Sequence, residues 1–188
     1  WQMVVVRRKA VGVRKIKMKH VDRILNKFEE RFADVEETYH LLTTEQFNYP
    51  DKKIYSGDWK FIGLKAKEDI PYTNLPISDL LQDETIVIAG FSIMNPGVEI
   101  TPHKGYRDFA NKVYRAHLCI KEAPNCLLTV NGQEYKWHRG KSFYFDDSLE
   151  HAAYNRSKET RIIMLFDIAR DPSNIPELTE NMLKDFEE

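Results

Sequence analysis

The chain has 188 residues, with 28 Lys and Arg against 29 Asp and Glu and a formal net charge of −1. At 42% hydrophobic and 30% charged residues it reads as an ordinary folded domain, not a disordered or fibrous chain. No run approaches the roughly 20 apolar residues that cross a bilayer, and two cysteines, Cys119 and Cys126, are too few for a disulfide framework. Both are expected as small buried hydrophobes in a reduced compartment, which makes a cytoplasmic location the expectation.

Residues 1–20 hold Arg7, Arg8, Lys9, Arg14, Lys15, Lys17 and Lys19 and no acid. The simplest reading is a solvated, twisted edge strand. A second is peripheral contact with an anionic membrane surface, with membrane association if an anchor precedes the chain, which opens at Trp1. No aromatic residues interleave the basic run as a base-stacking platform, so nucleic acid is not an expected partner. This segment is set apart from a single domain over 21–188, with its core at 54–170.

Over 21–38, Val21, Ile24, Leu25, Phe28, Phe32 and Val35 recur at three-to-four spacing, which predicts one amphipathic helix packed on the core. Residues 39–57, with Pro50-Asp51 and Ser56-Gly57, read as loop and turn. A strand is expected at 58–66, then a loop with Pro71 and Pro76, then a short helix at 78–82. From residue 85 the pattern becomes strands: 85–94, 98–103, 113–120, 126–130, 133–137, 142–146, 152–155 and 161–168. Turn signals separate them, the strongest being Asn131-Gly132. Short strands at this spacing suggest a sandwich or barrel. The acidic tail from Pro172 to Glu188 carries a short helix pattern.

The residues that bear chemistry sit at strand ends. His103 closes one strand and His151 opens another. Arg115 and His117 alternate along 113–120 and so share a face with Val113 and Cys119. A basic pair turned inward is costly unless an anion neutralises it. Arg161 opens the most apolar strand, RIIMLFDI, and needs a carboxylate or water in the same way. A small dicarboxylate between the sheets would meet both needs. Non-haem iron sites for oxygen activation use two His and a carboxylate with open positions. The carboxylate position two residues after the first His is Gly105 here, so any such site is a two-histidine one.

FSIMNPGVEITPHKG, RAHLCI, NCLLTVNGQEYKWHRGKSFYFDDSLEH and ETRIIMLFDIAR, in that order, resemble the aspartyl/asparaginyl β-hydroxylase family of Fe(II)- and 2-oxoglutarate-dependent dioxygenases. Weaker likeness reaches back to GDWKFIGL. The resemblance implies a mainly β (α+β) fold: a double-stranded β-helix, jelly-roll and cupin-like, with the N-terminal helices packed on one sheet. It implies His103 and His151 as the iron ligands, and glycine at 105 agrees with the family. Arg161 would bind one carboxylate of 2-oxoglutarate, with Ser92 beside it, and Arg115 and His117 would hold its other end. Catalysis would rest on His103, His151 and Arg161, with O2 as cosubstrate. Asp147 is expected to accept the outer N–H of a ligand imidazole. Asp108 stands as an alternative third ligand to water. The segment between His103 and Arg115 runs longer than the family pattern, and Ala152 follows His151 where some relatives carry an acid.

The implied reaction is hydroxylation of an unactivated C–H bond on a small-molecule, peptide or lipid substrate. That substrate would be an Asp/Asn-type side chain or a lipid A acyl chain. Rival readings are halogenation, a non-catalytic β-barrel that holds a small anion, and a membrane-surface adaptor. Trp59 and Trp137 are read as core or turn packing, and His20, His40 and His138 as exposed bystanders. Tyr106 and Arg107 are candidates for substrate contact. Cys119 is read as a packed thiol on the pocket face.

Overall fold

The computed structural model describes residues 19–66 and 69–178. The basic segment up to residue 18 and the expected tail helix lie outside them. In chain order come α1 (His20–Glu30), α2 (Phe32–Leu41), β1 (Phe47–Asn48), β2 (Tyr55–Ser56), β3 (Trp59–Ala66), α3 (Ser78–Leu81), β4 (Ile86–Met94) and β5 (Glu99–His103). They are followed by α4 (Arg107–Ala110), β6 (Val113–Lys121), β7 (Cys126–Val130), β8 (Gln133–Tyr135), β9 (Ser142–Asp146), β10 (His151–Asn155) and β11 (Arg161–Ala169).

The strands form a six-stranded sheet in the order β1-β3-β4-β11-β6-β9 and a five-stranded sheet in the order β2-β5-β10-β7-β8. Every pairing is antiparallel. The two sheets face each other as a double-stranded β-helix, with helices on the outside of the larger one. Alternation along the strands feeds two cores. Ile62, Leu64, Phe91, Leu118, Met164 and Phe166 meet Val21, Leu25, Phe28 and Val35 of the helices. The opposite parity, including Met94, Cys119, Ile163 and Leu165, meets Ile100, Leu128, Val130 and Ala153 of the smaller sheet. β4 and β11 are therefore buried along their whole length, which is why they read as unbroken apolar runs.

The single helix expected over 21–38 is two. Arg31 leaves helical geometry at φ −105°, ψ 33°. Its guanidinium is drawn to Asp34, to Asp79 of α3 and to the Pro76 carbonyl, tying the break to α3. The apolar stripe runs through the break, so periodicity does not reveal it. The region read as loop, 39–57, also supplies two short edge strands, β1 and β2. At Asn131-Gly132 both residues have positive φ, 49° and 77°, the geometry of a two-residue hairpin turn.

Of the bystander histidines, His40 and His138 are exposed. His20 is half-buried instead, its Nε2 2.5 Å from the Ala169 carbonyl, which ties the start of α1 to the end of β11.

Candidate functional site

His103 and His151 face each other across β5 and β10 as direct backbone partners. The register then slips, so that Ala153 pairs with Ile100: three residues of β5 span the length of two on β10. This bulge decides the site. Ile100 and His103 are an odd number of residues apart and in a regular strand would point to opposite faces. The extra residue turns both inward, and Pro102, which has no N–H to lose, sits within it.

The two imidazole centroids lie 4.2 Å apart at 57°. Nδ1 of His103 donates to the Thr101 carbonyl at 2.8 Å, and Nδ1 of His151 to the Leu149 carbonyl at 2.9 Å. A carbonyl only accepts, so both protons sit on Nδ1 and both Nε2 atoms keep a lone pair. Burial, with His103 close by, pushes His151 down to about 3. Burial likewise lowers His103. Both rings are therefore neutral near pH 7, the state in which imidazole binds a metal.

Asp147 lies on the Nε2 side of this pair, with Oδ1 3.6 Å from His151 Nε2. The expectation that it accepts the outer N–H of a ligand histidine is corrected, because backbone carbonyls take both of those protons. Asp147 is fully buried, and neither of its carboxylate oxygens has a hydrogen-bond partner. A Cβ at Gly105 would stand 1.7 Å from its Oδ2. The carboxylate thus fills the space of the missing side chain at 105. Asp108 is exposed on α4 and lines neither cavity of the site.

Arg115 lines the inner cavity and is held by two aspartates. Its Nε and one terminal nitrogen each donate to Asp167 at 2.9 Å, and the other stands 3.0 Å from Asp147 Oδ1. The anion that an inward arginine demands is supplied by the protein itself. Asp167 was missed in the sequence, although it shares its strand face with Arg161 by period-two spacing. Burial raises both aspartates against the pull of Arg115, since one guanidinium serves two carboxylates.

Arg161 is 2% exposed and has no carboxylate partner among the described residues. Its Nε is unpaired, a terminal nitrogen reaches Ser92 Oγ at 3.5 Å, and the guanidinium lies 4.7 Å from the centre of the Trp137 ring. Burial lowers its pKa, the mark of a cation without its counter-ion. One inner cavity gathers His103, His151, Ser92, Arg115, His117 and Arg161. Trp59 and Trp137, expected as mere packing, line it too, and so does Tyr49, stacked on Trp59 at 3.6 Å. Cys119 is a buried packed thiol outside that lining. A second, outer cavity opens from His103 and Arg115 toward Tyr49, Ile54, Tyr106 and Phe109.

Two sheets closed around a histidine pair, with a lone guanidinium deeper inside, define a cupin-type β-barrel with a candidate metal and anion centre. The model of the family described as aspartyl/asparaginyl β-hydroxylase matches residues 19–171, and the chain belongs to that family. It is 32% identical over 139 residues to the ornithine lipid ester-linked acyl 2-hydroxylase of Rhizobium tropici, covering 69% of this chain and 48% of that protein. To the human aspartyl/asparaginyl β-hydroxylase it is 30% identical over 89 residues, covering 47% of this chain and 11% of that one. The chain thus spans about half or less of the length of these relatives. Among solved structures, a predicted oxalate decarboxylase of Thermotoga maritima overlays with a TM-score of 0.48 at 13% identity, covering 66% of this chain and 90% of that one.

Proposed function

We propose that the protein is an Fe(II)- and 2-oxoglutarate-dependent dioxygenase that hydroxylates an unactivated C–H bond. The observation that carries this reading is the buried guanidinium of Arg161, without a carboxylate partner among the described residues, in the same cavity as two neutral imidazoles whose Nε2 lone pairs are free. An unpaired buried cation costs several kcal/mol, and a bound dianion removes that cost.

The residues fit both groups. His103 and His151 would hold the metal through Nε2. Asp147 beside them, paired with Arg115 through Oδ1, would accept from water on the metal through Oδ2. Charge supports the fit: Asp147 and Asp167 leave Arg115 one negative charge in excess, which a divalent cation offsets. A dianion on the metal and Arg161 would then bring these cavity groups to neutrality. When bound, iron and 2-oxoglutarate supply the oxygen-activating chemistry that converts C–H to C–OH, with decarboxylation of the cosubstrate to succinate. The chain's part is to hold the imidazoles in one tautomer, to fix Asp147 through Arg115 and Asp167, to draw in the dianion with Arg161 and Ser92, and to exclude water with Trp59, Trp137 and Phe145.

The outer cavity, with Pro50, Ile54, Phe61, Ile88, Phe109 and Leu165 in its walls, suits an acyl chain, in keeping with the named activity of the R. tropici relative. An Asp- or Asn-type side chain is the second reading, favoured by Lys104 at the same rim. The test is anaerobic loading with Fe(II) and 2-oxoglutarate, followed by oxygen. Lipids and peptides are then screened for a mass gain of one oxygen atom. No iron uptake and no succinate would leave a non-catalytic anion-binding barrel.

A further inference from the structure

Ser92 and His117, both in the lining of the inner cavity with Arg161, are chemically ambivalent. A serine hydroxyl and a neutral imidazole can each either donate or accept. A pocket for a dianion works only if both donate, because an acceptor turned toward a carboxylate repels it. The indole N–H, by contrast, is donor-only.

Trp137 Nε1 lies 3.2 Å from His117 Nδ1. An indole must donate, so Nδ1 must accept and the His117 proton must sit on Nε2. Trp59 Nε1 lies 2.8 Å from Ser92 Oγ. The same Ser92 oxygen also faces the Arg161 terminal nitrogen at 3.5 Å, so both its lone pairs meet donors and its O–H is left to donate. Trp137 additionally presents its ring face to the Arg161 guanidinium at 4.7 Å, steadying the cation from the side. Both indoles are buried, at 6% and 5% exposure, where no water competes for these bonds.

We infer that Trp59 and Trp137 are positioning residues that force Ser92 and His117 into donor roles, so that both are set to receive an anion beside Arg161. This rests on the reading of the cavity as the 2-oxoglutarate site, and it gives both indole N–H groups a role in that cavity.

The experiment uses the full chain labelled with 15N-histidine, as wild type, Trp137→Phe and Trp59→Phe, with thermal midpoints recorded to confirm folding. Nitrogen NMR of the metal-free protein reads the His117 tautomer. The wild type is expected to show the proton on Nε2, and Trp137→Phe a mixture with Nδ1–H, while Trp59→Phe leaves His117 unchanged. Titration of the zinc-loaded proteins with 2-oxoglutarate is expected to show affinity about tenfold weaker for each variant, the size of one hydrogen bond to a charged group. A wild-type His117 protonated on Nδ1, a tautomer indifferent to Trp137→Phe, or unchanged affinity in both variants would overturn the inference. If even the wild type binds no 2-oxoglutarate, the cosubstrate reading fails on its own, and the tautomer result still decides whether Trp137 sets His117.

Discussion

The carboxylate of Asp147 stands where a side chain at Gly105 would stand: an added Cβ would be 1.7 Å from its Oδ2. The backbone N–H of Gly105 also donates to the Asp147 carbonyl at 2.8 Å, so the two residues are locked together. The acid absent from one strand end is thus replaced in space by another four residues before His151. Gly105→Ala is expected to destabilise the fold by about 1–3 kcal/mol through overpacking. Asp147→Ala should relieve much of that loss, so the double variant falls short of the sum of the singles in a denaturation cycle. Additive effects would mean that the two sites are not in contact.

Removing only the charge at that point separates metal chemistry from packing. Asp147→Asn keeps the volume, and Arg115 retains Asp167. Metal affinity is expected to drop by about 10–100-fold, read by competition with a chelator, with a thermal midpoint near that of the wild type. Unchanged affinity would show that Asp147 has no part in holding the ion.

The two inward arginines make opposite predictions. Arg115 bridges Asp147 and Asp167, so Arg115→Met leaves buried carboxylates exposed to each other and should cost about 3–5 kcal/mol of stability. Arg161 has no such partner among the described residues, so Arg161→Met should leave stability unchanged or raise it, while weakening 2-oxoglutarate binding about 100-fold or more. Denaturant melts alongside cosubstrate titration distinguish the pair. Equal destabilisation by both changes would place Arg161 among structural ion pairs.

Acid should weaken the metal-free fold through the histidine pair. His151 is held at about 3 in the folded state, below the ordinary value near 6.5 of the unfolded chain. The unfolded state therefore takes up the proton first, and the stability that is complete above pH ~6.5 is lost as pH falls toward the folded value. Asp147 and Asp167, raised by burial, act with the opposite sign, so the comparison is between wild type and His151→Asn. The variant should show a shallower loss between pH ~6.5 and ~4 in denaturant melts. Parallel curves would mean that His151 is charged or exposed in the fold.

Much of the barrel was legible because its strands are short, alternate cleanly and end on turn residues. β7 and β9 match the sequence reading at both ends. The facing of Arg115 and His117 also followed from period two alone. What the sequence hid was pairing across strands. A bulge turns His103 inward against simple alternation, and nothing in VEITPH marks it beyond Pro102. Arg115 finds Asp167 only because β6 lies next to β11. The indole N–H of Trp59 and Trp137 acquires its meaning from a serine and a histidine on neighbouring strands, which composition cannot reveal. The break at Arg31 depends likewise on a partner 48 residues away.

In the proposed site, His103 and His151 share one ferrous ion beside a bound diacid. Anaerobic titration of the protein with Fe(II) and then 2-oxoglutarate, followed by visible absorption, addresses it in one experiment. The account predicts one iron per chain and a charge-transfer band that grows only when both are present, vanishes in His103→Ala and His151→Ala, and weakens in Arg161→Met. Iron uptake and a band that survive both histidine substitutions would contradict it.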